Sequence, residues 1–172
     1  GSELMAYSGW SNSNYIYQGF QSGADNSQVN FGTDPFYVSC WIKHTSAVGV
    51  YQGIIWYNEM HNSGMPGGWQ LMMNESDQLY FYFYGDSTMG NLGGSAASKV
   101  VDDRWHHVMV TSYIGGSKHK MYLDGVEVAS GTTNYTHFYE PGVTSLMGSP
   151  SLDYFGIEVA ASGRKITFLA AA

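Results

Sequence analysis

Apolar residues recur at every second position through several parts of this chain. The alternation runs through residues 36–43, 79–84, 107–111 and 120–123. A period of two sends successive side chains to opposite faces of a β-strand, so each segment is predicted to be a strand with one buried face. Asp124 and Gly125 follow the last of these segments and are typical residues of a tight hairpin turn.

The remaining pattern predicts more strands and no helix. Further strands are expected at 15–20, 27–31, 50–57, 68–73, 155–160 and 165–169. No stretch long enough for a helix has its apolar residues spaced as a helical stripe. About a dozen strands without helices are expected to pack as two sheets. The predicted fold class is therefore all-β, a two-sheet antiparallel jelly-roll sandwich.

Length and organisation favour a single domain. The chain has 172 residues, which is enough for one continuous core. It contains no internal repeat and no composition shift that would mark a boundary. Gly1 and Ser2 resemble an expression scar, so the predicted domain covers residues 3–172.

Composition excludes two classes of partner. Only 12% of residues are charged, and seven Lys and Arg leave a formal net charge of -7. A basic patch for phosphates cannot be built from so few cations, which argues against nucleic acid and against an anionic membrane surface. No apolar run approaches the length of a membrane span, so membrane insertion is not expected.

Cysteine use bears on where the chain folds. Cys40 is the single cysteine, so no intrachain disulfide can form. The N-terminal residues lack the pattern of a signal peptide. Both features favour folding in a reducing cytosol.

Three segments carry a family resemblance. Residues 34–43 (DPFYVSCWIK), 105–111 (WHHVMVT) and 120–126 (KMYLDGV) resemble, in order and spacing, three strands of laminin-G-like / concanavalin-A-like lectin-glucanase domains. The resemblance covers about residues 20–150 and implies the jelly-roll sandwich. Members of that family bind sugars, glycans, calcium or proteins, and some relatives hydrolyse polysaccharides, so the fold leaves the function open.

The C-terminal part departs from the family pattern. In place of the usual closing strand the chain has FGIEV at 155–159 and GRKITF at 163–168. This C-terminal sequence pattern, together with the neutral polar loops, is similar to that of sandwich modules in phage tail-fibre proteins. That similarity implies a virion tail, a fibre or an extracellular surface as the location. It also implies a homo-oligomer, a trimer, formed through a parent fibre.

A ladder of tyrosines is the main candidate binding feature. Tyr80, Tyr82 and Tyr84 share one face of a predicted strand. Their rings offer flat apolar area and their hydroxyls offer hydrogen bonds, which suits stacking on sugar rings or packing against a partner. The alternative is a tyrosine-rich face covered by the chain's own loops.

Three more aromatic residues flank the loop at 58–67. Trp56, Tyr57 and Trp69 would extend the platform formed by the tyrosines, while the alternative for each tryptophan is ordinary core or edge packing. The leading hypothesis is thus a non-catalytic module that binds a glycan on a cell surface. The alternative is a structural or oligomerisation module that binds protein.

Catalysis is not expected. A glycoside hydrolase of this fold needs two carboxylates that face each other across a cleft. Glu75 and Asp77 are the nearest candidates, but the pattern places them in a turn between strands. His106 and His107 are adjacent in a strand, point to opposite faces and are expected to be structural.

A calcium site is a further candidate. Asp25, Asn26 and Asp34 lie in the two turns that bracket the predicted strand at 27–31. Calcium takes oxygen ligands from nearby loops, which these residues would supply. Asp and Asn are also common turn formers, so turn chemistry is the alternative.

Overall fold

The structure is a computed structural model. It describes residues 16–18, 35–45, 47, 49–57, 68–84, 89–113, 118–131, 144–146, 152–161 and 164–168. The strands are β1 Ile16–Gln18, β2 Phe36–His44, β3 Gln52–Tyr57, β4 Gly68–Met73, β5 Leu79–Tyr84, β6 Met89–Gly93, β7 Trp105–Tyr113, β8 Lys118–Leu123, β9 Val126–Gly131, β10 Thr144–Leu146, β11 Leu152–Ala161 and β12 Arg164–Phe168. The helical structure in these ranges is one 3-10 turn, Ala96–Ser98.

The strands form two six-stranded sheets. Sheet I has the order β1-β10-β3-β4-β5-β6, and sheet II has the order β12-β11-β2-β7-β8-β9. The pairings within both sheets are antiparallel. The predicted all-β, two-sheet antiparallel jelly-roll sandwich is confirmed.

The core lies between the two sheets and follows the alternation in the sequence. In β2, Phe36, Val38, Cys40 and Ile42 are at most 3% exposed, and the residues between them are more exposed. Their apolar partners on sheet I are the buried residues Leu71, Met73, Leu79 and Phe81. Burial of each large apolar side chain stabilises the fold by about 1.5–3 kcal/mol, so this layer holds the sheets together.

A bulge in β3 changes the alternation locally. The register with β4 shifts between Gly53 and Ile55, and Ile54 and Ile55 are both fully buried. An extra residue in one strand breaks the period of two, which allows neighbouring side chains to reach the same core.

The predicted hairpin turn is confirmed by its backbone angles. Asp124 has φ 52° and Gly125 has φ 81°, and the two residues connect β8 to β9. Positive φ at both central residues gives the turn a twist that matches the flanking strands. The predicted strand at 27–31 lies outside the described residues.

Candidate functional site

Two tyrosines of β5 form a joined aromatic surface on the outside of sheet I. Tyr80 and Tyr82 are partly exposed, whereas Leu79 and Phe81 beside them are fully buried. The two tyrosine ring centroids are 4.5 Å apart with an interplanar angle of 54°. Side chains two residues apart share a strand face, which is why the alternation brings these rings together.

The neighbouring strands surround the two rings with uncharged side chains. Tyr82 lies opposite Gln70 of β4 and Asn91 of β6, and Tyr80 lies opposite Met72. Asn91 is exposed and Gln70 is partly exposed, while Met72 is 8% exposed. These five residues, Gln70, Met72, Tyr80, Tyr82 and Asn91, are called the tyrosine face below.

Gly94 fixes the position of the Tyr80 ring. Its φ is +69°, and a Cβ added there would lie 2.5 Å from Cε2 of Tyr80. The Gly94 N–H donates to the carbonyl oxygen of Leu79 at 2.9 Å. A side chain would meet both a disfavoured backbone conformation and the ring, so glycine is required for the ring to lie against this backbone.

The phenols of the tyrosine face interact with each other. Burial raises the pKa of Tyr82, and a side-chain hydrogen bond with Tyr80 raises it further. Tyr82 therefore stays protonated at neutral pH and keeps both a donor and an acceptor.

Trp69 does not belong to this face, and its predicted role in the platform is wrong. It is 1% exposed and stacks on Phe81, with ring centroids 6.0 Å apart. The ring of Phe36 lies 6.1 Å away in a tilted orientation. Position 69 has the same parity as Leu71 in β4 and therefore faces the core. Core packing, the alternative named for this residue, is what the structure contains.

The side chains of the other predicted platform residues lie outside the described part of the structure. The backbone register pairs Trp56 with Gln70, Tyr57 with Trp69 and Tyr84 with Gly68. Trp56 is thus in the register row that also contains Tyr82. The roles of Trp56, Tyr57 and Tyr84 in binding stay predictions.

The predicted calcium ligands, Asp25, Asn26 and Asp34, also lie outside the described residues. Among the residues that the structure does describe, no group of three or more His, Cys, Asp or Glu side chains could hold a metal ion. The calcium site stays a prediction.

A second aromatic surface on sheet II was missed from the sequence. Trp41 is 42% exposed and Trp105 is 40% exposed. The rings of Trp41 and His107 are 5.2 Å apart, and His107 Nε2 lies 2.8 Å from Ser39 Oγ. These four residues, Ser39, Trp41, Trp105 and His107, are called the tryptophan face. The parity of β2 signals it, because Trp41 alternates with the core residues Cys40 and Ile42.

His106 lies on the other side of β7 and joins two turns. Its Nδ1 is 2.7 Å from Asp124 Oδ2, and its Nε2 is 2.8 Å from Asp102 Oδ1. Carboxylates only accept hydrogen bonds, so both contacts are satisfied when the imidazole carries two protons. The expected structural role of His106 is confirmed, and its orientation opposite to His107 is confirmed as well.

The charged forms of His106, Asp102 and Asp124 stabilise each other. Hydrogen bonds from His106 and then Arg104 lower the pKa of Asp102 to about 2. Burial opposes ionisation of Asp124, but hydrogen bonds from His106 and the His107 backbone N–H lower its pKa. Burial likewise opposes protonation of His106, yet its bonds to the two carboxylates raise its pKa. The group is a charged clamp between the β6–β7 connection and the β8–β9 hairpin.

The described residues contain no helix long and apolar enough to cross a membrane.

Comparison with known families identifies the fold class. The Laminin_G_3 family, described as the Concanavalin A-like lectin/glucanases superfamily, matches residues 17–155. The match covers most of the chain and includes the three segments whose motifs resemble this family. The chain belongs to the Laminin_G_3 family of concanavalin A-like domains. A comparison with curated proteins finds no match.

Solved structures have the same fold at low sequence identity. The mouse laminin alpha1 chain, domains LG4-5, is 16% identical with a TM-score of 0.60, covering 99% of this chain and 49% of that chain. The CBM40 of the Ruminococcus gnavus IT-sialidase, bound to alpha2,6 sialyllactose, is 10% identical with a TM-score of 0.61, covering 87% and 88%. The binding domain of Botulinum Neurotoxin DC, in complex with SialylT, is 14% identical with a TM-score of 0.53, covering 79% and 32%.

These similarities establish the fold alone, because identity is so low. This chain spans 32% of the neurotoxin chain and about half of the laminin chain, 49%.

Proposed function

We propose that this domain binds glycans through the tyrosine face and does not catalyse a reaction. The observation that carries the proposal is the pair of partly exposed rings, Tyr80 and Tyr82, whose centroids are 4.5 Å apart. Gln70 and Asn91 lie on either side of Tyr82 in the neighbouring strands. Aromatic rings provide flat apolar area for the C–H faces of sugars. Amide and phenol groups at the edges provide both donors and acceptors for sugar hydroxyls.

The solved relatives support a binding role. Two of them are complexes with a sialylated ligand, SialylT in the neurotoxin domain and sialyllactose in the CBM40. A shallow sheet face buries little ligand area, so weak affinity at each site is expected.

The positions of Glu75 and Asp77, the two carboxylates considered as catalytic candidates, support a non-catalytic role. Asp77 is 3% exposed and lies 2.9 Å from His44 Nε2, whereas Glu75 is exposed. A retaining glycosidase needs two carboxyl groups about 5–5.5 Å apart on either side of the scissile bond, and a buried Asp77 does not reach a substrate.

The proposal also includes the assembly in which the domain acts. A place on a viral fibre or surface assembly, facing a cell-surface glycan, would present several copies together. Several weak sites on one assembly gain avidity through effective concentration.

A calcium contribution from Asp25 and Asp34 is also proposed. Melting curves in chelator and in calcium test it, since an ion that binds the native state raises the melting temperature.

The second candidate is a structural or oligomerisation module. The exposed indoles of Trp41 and Trp105 favour it, because tryptophan is enriched at protein interfaces. The native oligomeric mass tests it. A stable trimer that dissociates on Tyr82→Asp would make the tyrosine face a subunit contact, and one that dissociates on Trp41→Asp would assign the tryptophan face.

A glycan array tests the leading proposal. The wild-type chain is compared with Tyr82→Ala and with Trp41→Ala, which removes an exposed ring from the opposite sheet. Loss of one stacking ring is expected to reduce binding about tenfold, as 1–1.5 kcal/mol does, while Trp41→Ala leaves it unchanged. Binding that survives Tyr82→Ala would reject the site, and no binding to any glycan would reject the function.

A further inference from the structure

The two sheets differ sharply in charge. Within their strand bounds, the six strands of sheet I contain no Asp, Glu, Lys, Arg or His. The strands of sheet II carry five of the chain's seven Lys and Arg residues, namely Lys43, Lys118, Lys120, Arg164 and Lys165. The tyrosine face therefore lies on an uncharged sheet in a chain whose cations are concentrated on the other sheet.

The connections between the central strands of sheet I add only negative charge. The sequence has Glu59 between β3 and β4, Glu75 and Asp77 between β4 and β5, and Asp86 between β5 and β6. None of these three connections contains Lys or Arg. Of these residues Glu75 is described as exposed, and its charge is unfavourable for a ligand that carries a carboxylate.

Three cations away from sheet I are engaged by carboxylates. Lys43 Nζ lies 2.9 Å from Asp103, and Lys120 Nζ lies 2.6 Å from Glu127. Arg104 Nη2 lies 2.7 Å from Asp102. These ion pairs lie in sheet II and in the turn that precedes β7.

Lys99 is the described cation that comes nearest to the tyrosine face. It is exposed and forms an isolated antiparallel bridge with Gln78, two residues before Tyr80. It therefore borders the tyrosine face at one end. The guanidinium of Arg presents a rigid planar fork that matches a carboxylate, whereas the ammonium of Lys is a compact charge on a flexible stem.

From this distribution we infer that the ligand of the tyrosine face is a neutral saccharide, without sialic acid or another acidic sugar. The inference rests on the proposed glycan binding and narrows its ligand class. Uncharged amides and phenols match sugar hydroxyls, and strands without Lys, Arg or His offer an anionic ligand no charge partner. The ligand class thus differs from the sialylated ligands bound to two of the solved relatives.

The test uses matched oligosaccharides that differ by one sialic acid. Lactose and alpha2,6-sialyllactose, together with further array pairs with and without terminal sialic acid, are titrated against the full chain, Tyr82→Ala and Lys99→Gln. The neutral member is expected to bind at least as tightly as its sialylated partner. Its affinity should change less than about twofold between low and moderate salt, because no charge pair is screened. Lys99→Gln should leave that affinity unchanged.

The failures of the two claims are distinguishable. Preference for the sialylated member, lost in Tyr82→Ala and weakened by Lys99→Gln or by salt, would overturn the neutral ligand class and leave glycan binding at the tyrosine face intact. No binding to either member of any pair would overturn the proposed function, and the inference would fall with it.

Discussion

His44 and Asp77 join the two sheets inside the sandwich. Nε2 of His44, the last residue of β2 in sheet II, lies 2.9 Å from Oδ1 of Asp77, which is in the turn between β4 and β5 of sheet I. Both side chains are at most 4% exposed. A buried polar group is costly without its partner, so this hydrogen bond fixes how one end of sheet I meets sheet II.

Removal of the Asp77 carboxylate is expected to destabilise the fold. Asp77 has φ 60°, which glycine adopts freely, so Asp77→Gly removes the hydrogen bond without new backbone strain. The free energy of unfolding in urea should fall by about 1–3 kcal/mol, the cost of an unsatisfied buried group. Asp77→Asn, which keeps a side-chain oxygen and tolerates positive φ, should cost less. An unchanged free energy of unfolding in Asp77→Gly would show that the contact does not stabilise the sandwich.

The charged clamp formed by His106, Asp102 and Asp124 should make the free energy of unfolding largest in mildly acidic solution. The raised pKa of His106 means that its contribution is fully present below about pH 6.5 and is lost as pH rises through the higher folded value. The lowered pKa values of Asp102 and Asp124 mean that their contribution is present above about pH 4 and is lost as pH falls through the folded values. Urea midpoints should therefore be highest between about pH 4 and 6.5.

His106→Gln provides the control for that profile. Glutamine cannot carry the charge, so the decrease of stability above neutral pH should become smaller than in the wild-type chain. The variant retains the other charged pairs near this turn, which are Lys43 with Asp103 and Arg104 with Asp102. An NMR titration of His106 with a pKa at or below the ordinary histidine value would contradict the clamp.

Gly94 is expected to couple fold stability to the shape of the tyrosine face. Gly94→Ala places a methyl group against the Tyr80 ring and strains a backbone with φ +69°. Gly125→Ala is the matched control, since its φ is +81° and an added Cβ meets nothing within 4 Å. The control should lose about 1–2 kcal/mol from backbone strain alone, and Gly94→Ala should lose more and also bind glycan less tightly. Equal losses with unchanged binding would show that Gly94 does not position the ring.

Cys40 should be inert in the folded protein. Its side chain is fully buried, and burial raises the pKa of the thiol to about 12. The reactive species is the thiolate, which is scarce at neutral pH under these conditions. Iodoacetamide should modify Cys40 only after denaturation, as mass spectrometry would record. Complete modification of the native chain within minutes would contradict the buried position.

The sequence predicts the strands and the inward-facing residues well, because a period of two is sufficient to assign strand faces. Phe81 and Tyr82 are assigned to opposite faces correctly on this basis. Trp69 was assigned to a surface from its place beside a loop, although its parity with Leu71 predicts burial. The outward direction of Trp41 follows from the alternation in β2, but its position opposite His107 depends on strand pairing. The contact between His44 and Asp77 depends on how the two sheets meet, which local alternation does not encode.

The position of the ligand on the surface is the most direct test of glycan binding by the tyrosine face. An NMR titration of the isotope-labelled chain uses the neutral oligosaccharide that gives the strongest array signal, up to concentrations on the order of 1 mM. We expect the shift changes to cluster at Gln70, Tyr80, Tyr82 and Asn91, with none in the tryptophan face around Trp41. Changes confined to the tryptophan face, or no changes at that concentration, would contradict it.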